Sequence, residues 1–123
     1  MPPVATPAIV LHSIRYSETS KIVRLATREL GVQSAIAKGA LRKKSPFGGG
    51  LELLSEGVAQ LAHREQRELQ ILTAFDVTVM RTPLAQDLPR FAAASVLAEV
   101  MLRVAPAAPL PSAFDLLRAY LDL

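Results

Sequence analysis

A chain of 123 residues, half of them apolar, is long enough to bury one core, which excludes a disordered polypeptide. The absence of cysteine excludes disulfides, thiolate metal sites and a cysteine nucleophile together; aromatics are only 5%, so the core rests on Leu, Val, Ile and Ala. The net charge of +3 hides a segregation: residues 12–48 carry eight cations against two carboxylates, residues 49–80 two against five, and residues 81–123 four against four.

The opening "MPPVATPAIVL" has no Lys or Arg ahead of its short apolar run and does not read as a secretory signal. The first 80 residues alternate β-branched and polar positions between turn signals, as strands do. "AIVLHSIRY" predicts a first strand over residues 8–16, "YSETS" a turn, "KIVRLATREL" a second strand, and Gly31 a turn into a third, "VQSAIAKG". A charged stretch, "AKGALRKKSPFGGG", fills residues 37–50. The fourth strand is expected in "LELLSEGVAQLAHRE", with Leu51, Leu53, Ala59 and Leu61 on one face, Glu52, Glu56 and Gln60 on the solvated one, and a bulge at Gly57. "HREQRE" is a polar turn, and "LQILTAFDV" a fifth strand. Five short strands without a long helix favour a closed barrel, since an open sheet leaves edges unpaired; the leading candidate is an OB-fold, ahead of a sandwich.

From Asp87 the period changes. Phe91, Ala94, Leu97, Ala98, Met101 and Val104 recur at helical spacing, with Asp87 placed to cap and Pro89 in the first turn. After "APAAPLP", Ser112 with Asp115 opens a second helix whose apolar side holds Leu116, Leu117, Tyr120, Leu121 and Leu123, with nothing obvious in the chain to cover it. The stretch "FAAASVLAEVMLRVAPAAPL" carries Glu99, Arg103 and two prolines where a membrane span is clean, so a cytoplasmic protein is expected. The organisation expected is mainly β with α: a five-stranded OB-fold over 1–80, then 81–123 as the first helices of a longer helical domain.

Enzyme chemistry finds little support. Gly39 is followed by Lys44 and Ser45 as in a phosphate-binding loop, but Lys43 stands where the second glycine belongs and no helix pattern follows. No serine lies in a nucleophile-elbow spacing, and the carboxylates at 52, 56, 65 and 68 read as a solvated face. His12 and His63 stand far apart without carboxylates at ligand spacing, so neither a metal nor a cofactor is expected. The cations are the better candidate. Arg24 and Arg28, four apart at period two, share a strand face, and Lys38, Arg42, Lys43 and Lys44 occupy the next strand end and its loop. With Arg15 and Lys21 they form a patch suited to a polyanion, and Tyr16 and Phe47 are candidates to receive one base each. A solubilising charged loop accounts for the same cations.

The motifs together resemble the RecO recombination mediators of bacterial DNA repair. The resemblance is carried by "VLHS", by "SETS" followed by "TREL" and Gly31, and by "AKGALRKKS" with the glycines after it; the helical part shares only its pattern. It implies an N-terminal OB domain followed by a helical one. It also implies a non-enzymatic protein that binds and anneals single- and double-stranded DNA and works with RecR and the single-strand binding protein to load RecA. The family's basic surface then falls on Arg15, Lys21, Arg24, Arg28, Lys38, Arg42, Lys43 and Lys44, above all the last four; in the sequence Lys38 reads as anchored at a strand end, with Arg42, Lys43 and Lys44 on a mobile arm after it. The site for single-strand binding protein is expected mainly beyond residue 123, and nothing supports the zinc module of some members. The competing expectation is an OB-type interaction module whose basic loop binds an acidic protein partner.

Overall fold

Barrel closure depends on one long strand serving two neighbours. In the computed structural model, which describes residues 3–42, 45–47, 51–79, 87–104 and 111–122, that strand is β1 (Val4–Arg15). Its first half pairs with β4 (Glu56–Ala62) and its second half with β2 (Lys21–Thr27). A register shift between Val10 and His12 lets the strand coil between the two. β3 (Gly31–Ala37) and β5 (Leu69–Val79) complete a closed barrel in the order β1-β2-β3-β5-β4, in which only the β3–β5 pair is parallel. This is the expected OB-fold. Two helices follow, α1 (Leu88–Val104) and α2 (Pro111–Leu121).

Two cores divide the apolar residues. Alternate strand positions fill the barrel interior, among them Val10, Val23, Leu25, Ala35, Leu61 and Phe75. The second core lies outside the barrel wall, where Ile9, Leu11, Ala26 and Val32 meet Ala94 and Ala98 of α1 and Phe114, Leu117 and Leu121 of α2. The helices therefore cover one patch of the barrel's outer surface.

Several expectations need correction. β1 begins at Val4, four residues before the predicted start; Pro7 obscured its alternation, yet Pro7 pairs with Val58 and its carbonyl accepts from the Arg28 amide at 2.9 Å. β4 begins only at Glu56, because residues 52–55 form a turn in which the Ser55 amide and hydroxyl both donate to the Glu52 carbonyl. That turn sends Leu51 into the barrel and Leu54 into the outer core, with Leu54 at φ 68 held by the hydrogen bond its amide donates to the Val10 carbonyl. Glu56 is not solvated: it is buried and paired with Arg118 at 2.9 Å. The bulge at Gly57 is present as a register shift between Glu56 and Gly57.

In α1 Ala94, Leu97, Ala98 and Met101 of the apolar stripe face inward as expected, while Phe91 joins neither core; Asp87 caps through its side chain to the Arg90 amide. α2 starts at Pro111, so Ser112 lies inside the helix, and Asp115 pairs with Arg28 instead of completing a cap. Its apolar side is partly covered after all: Leu117 and Leu121 pack on the barrel, whereas Leu116 and Tyr120 stay exposed. The Val104 and Ser112 side chains, and Leu123, lie outside the described residues. No described helix is long and apolar enough to cross a membrane.

Candidate nucleic-acid interface

One end of the barrel gathers, among the described residues, four of the eight candidate cations. Arg15 closes β1 directly opposite Lys21, and Lys21 lies opposite Ala37, so Lys38 follows immediately after β3. The reversal at 16–20 is fixed by the Tyr16 amide donating to the Ser20 carbonyl at 3.0 Å and by the Ser17 hydroxyl, which accepts from the Ser20 amide at 3.2 Å. Arg15 folds its Nε onto the Ser17 carbonyl at 3.1 Å. The next connection is bound to this reversal, since the Leu41 amide donates to the Thr19 carbonyl at 2.9 Å and the Gly39 amide to the Ser20 hydroxyl at 3.4 Å. Gly39 takes φ +76 to make that turn, and the Arg42 amide donates back to the Gly39 carbonyl at 3.0 Å.

Arg15, Lys21, Lys38 and Arg42 thus converge at one end, with Tyr16 exposed beside them. Residues 38–42 form a tied turn, so Lys38 is anchored as expected and Arg42 belongs to the turn, not to a mobile arm. Lys43, Lys44 and Gly48 to Gly50 lie outside the described residues. Phe47 is buried in the barrel interior, which corrects its reading as a base-stacking residue: an apolar ring following a charged stretch anchors the loop.

Arg28 is not brought to this end. It sits just past β2, where its guanidinium binds Asp115 of α2 at 3.2 Å and Glu29 at 3.2 Å. Hydrogen bonding to Asp115 and then to Glu29 raises its pKa above the ordinary arginine value, so it stays charged and engaged. The expectation that Arg24 and Arg28 act on one patch fails because β2 ends between them and α2 claims the second.

Arg24 lines a groove of about 670 Å³ across β2 and β3, walled by Gln33 and Ser34, by the β4–β5 loop residues His63, Glu65, Arg67 and Glu68, and by Gln70 of β5. Arg24 stands directly opposite Ser34, and its Nε is shielded from water with no hydrogen-bond partner among the described residues. Sequence reasoning missed this wall, having read 63–68 as a generic turn. The available signal was Gln70, a polar residue at an inward position of an apolar strand. Its buried amide accepts from the Arg64 amide at 2.9 Å and donates to the carbonyls of Arg64 at 2.8 Å and Arg67 at 2.6 Å. Gln70→Leu is expected to cost about 2 kcal/mol and to speed hydrogen exchange at residues 63–68 while sparing β1–β2, because it leaves buried loop groups unsatisfied. Uniform exchange across the barrel would contradict that local role. Among the described residues no group of three His, Asp or Glu side chains comes together.

Comparison with known proteins agrees with this architecture. Residues 1–81 match the family model described as recombination protein O N terminal. The chain is similar to the DNA repair protein RecO of Rhodopirellula baltica, at 40% identity over 94 residues covering 76% of this chain and 35% of the relative. It is 46% identical to that of Salinibacter ruber over 70 residues, 57% of this chain and 27% of the relative. The match to that of Anaeromyxobacter sp. (strain K) is 35% over 120 residues, 97% of this chain and 47% of the relative. The chain thus spans between about a quarter and a half of the length of these relatives. With the closed barrel and the matched segment coinciding, the chain belongs to the RecO family, and its barrel is the OB-fold of that family's N-terminal part.

Proposed function

We propose that this chain supplies the DNA-contacting part of a recombination mediator in DNA repair. It is non-catalytic and cytoplasmic: it holds single strands, brings complementary strands together and, with RecR and the single-strand binding protein, assists RecA loading. The observation that carries the reading is the convergence of Arg15, Lys21, Lys38 and Arg42 on one end of an OB barrel, beside the exposed ring of Tyr16. Cations set along an irregular loop end neutralise phosphates without fixing base identity, which suits a protein that must accept any sequence. On this reading residues 1–80 are the binding domain and 81–123 the first helices of a helical domain. Lys43 and Lys44, next along the sequence, belong to the same binding set, and Arg24 is a separate cation in its own groove.

The test is a salt titration with a mixed-sequence single-stranded oligonucleotide. If about four to six phosphates are engaged, log affinity falls against log salt with a slope of roughly −3 to −4. Lys38→Ala with Arg42→Ala is expected to weaken binding about tenfold at low salt and to make the slope shallower by about 1.4, two phosphate contacts' worth. Absence of binding by the parent at low salt would sink the reading. Binding unaffected by the double change would move the DNA elsewhere and leave the basic end for an acidic protein partner.

A further inference from the structure

The basic end carries one ring that phosphate binding does not use. Of the four Phe and two Tyr, Phe47 and Phe75 fill the barrel, and Phe91, Phe114 and Tyr120 belong to the helices. Tyr16 alone stands on the barrel's surface, 62% exposed. It follows Arg15, which with Lys21 forms the last pair between β1 and β2, so it belongs to the loop tip and not to a sheet face. Leu41, 40% exposed, joins the tip from the second loop, because its amide donates to the carbonyl of Thr19, three residues on from Tyr16.

The tip is built to hold its shape. The Ser17 hydroxyl accepts from the amides of Thr19 at 3.4 Å and Ser20 at 3.2 Å, and the Ser20 hydroxyl ties in the second loop through the Gly39 amide. Each loop is bounded by its own cation pair, Arg15 and Lys21 around 16–20 and Lys38 and Arg42 around 39–41. These features tell three DNA shapes apart. A running single strand stacks best on a series of rings, and one ring serves one base. A closed duplex offers no free base face. A junction of duplex and single strands offers one, the outer face of its last base pair, with two backbones diverging from it. One fixed ring beside two cation pairs is the complement of that shape.

Resting on the DNA reading above, we propose that the tip formed by Tyr16 and Leu41 recognises the junction of duplex and single strands. Tyr16 stacks on the last base pair, Leu41 shields that contact from water, and the Arg15–Lys21 and Lys38–Arg42 pairs each take one of the departing backbones. Stacking on a base-pair face needs no base-specific hydrogen bond, so any sequence serves. A tip already fixed by its own hydrogen bonds loses little freedom on binding. A duplex that grows by annealing presents such a junction at every step, and the tip follows the point where pairing advances.

The experiment uses the 123-residue chain and follows fluorescence anisotropy with three labelled DNAs. They are a forked duplex with two unpaired arms, a single strand as long as one strand of the fork, and a duplex closed by a hairpin loop at each end. The parent is expected to bind the fork about tenfold more tightly than either of the others, within the worth of one stacked base. Tyr16→Ala is expected to bring the fork to the level of the single strand, to leave single-strand binding within about twofold, and to leave the salt slope unchanged, because no phosphate contact is lost. Tyr16→Trp is expected to widen the preference for the fork at least about twofold, a gain that misfolding cannot produce. A parent that binds none of the three DNAs removes the DNA reading, and the junction with it. The junction alone falls, and the DNA reading stands, if the parent binds fork and single strand equally or the preference survives Tyr16→Ala. An equal loss on all three DNAs with Tyr16→Ala, or no gain with Tyr16→Trp, overturns it in the same way.

Discussion

Gly57→Ala is expected to lower the unfolding free energy by about 3 kcal/mol, and Gly57→Val to leave no soluble barrel. Gly57 sits at the β4 bulge between two backbones, paired with Ala8 of β1 and Val77 of β5. A Cβ there would run into the carbonyl of Asp76, with the carbonyl carbon at 2.8 Å and Cε1 of Phe75 at 2.9 Å. Neither neighbour is the free end of a flexible side chain, so relief means separating β4 from β5 and giving up ladder hydrogen bonds worth about 1 kcal/mol each. Gly39 is the comparator. Its φ of +76 penalises any side chain, but the nearest atom to a Cβ is Cδ of Arg42 at 3.6 Å, an ordinary contact. Gly39→Ala should therefore cost only the left-handed backbone term, about 1–2 kcal/mol. Urea unfolding followed by circular dichroism orders the two, and a Gly57→Ala midpoint no lower than that of Gly39→Ala would show that the strands part without cost.

How far the residues announce this structure depends on whether a side chain's partner is local. The β2–β3 hairpin is legible because alternation continues through Gly31, and α1 because its 3.6-residue stripe faces the wall of the barrel. Residues 51–55 misled because leucines at 51 and 53 fit one strand face on paper, yet a turn sends Leu51 into the barrel and Leu53 against the outer core. Arg28, Glu56 and Asp115 misled for the same reason at longer range. Their partners lie on elements distant in sequence, so charge pattern alone reads Arg28 as part of the basic patch, Glu56 as solvated and Asp115 as part of a helix cap. Of the candidate site, the basic end was readable from cation spacing, because the β1–β2 and β2–β3 pairings bring nearby stretches of chain together. The groove wall at 63–68 was not, because Gln70 fixes that loop by contacts no periodicity records.

Those long-range partners make the last prediction sharp. Phe114→Ala is expected to cost about 3–4 kcal/mol, since Phe114 is 1% exposed and fills the outer core against Ile9, Leu11, Ala26 and Leu54. Its neighbour gives the contrast. Asp115→Asn removes the carboxylate that holds Arg28, but side-chain exposures of 40% and 51% leave that pair in water, and the cost should stay below about 1 kcal/mol. Arg118→Met falls between, at about 1–2 kcal/mol: it uncovers the buried Glu56 carboxylate, while solvent around half-exposed Arg118 already weakens the pair. The ordering says that apolar burial binds α2 to the barrel and that the ion pairs fix its position on it. Urea midpoints combined with hydrogen exchange test the ordering. If Phe114→Ala lowers the midpoint of the whole domain, the helices and the barrel wall unfold as one unit, and the boundary near residue 80 marks a change of secondary structure inside a shared core. If only the α2 amides exchange faster while the midpoint holds, the helix is a separable layer on a self-sufficient barrel.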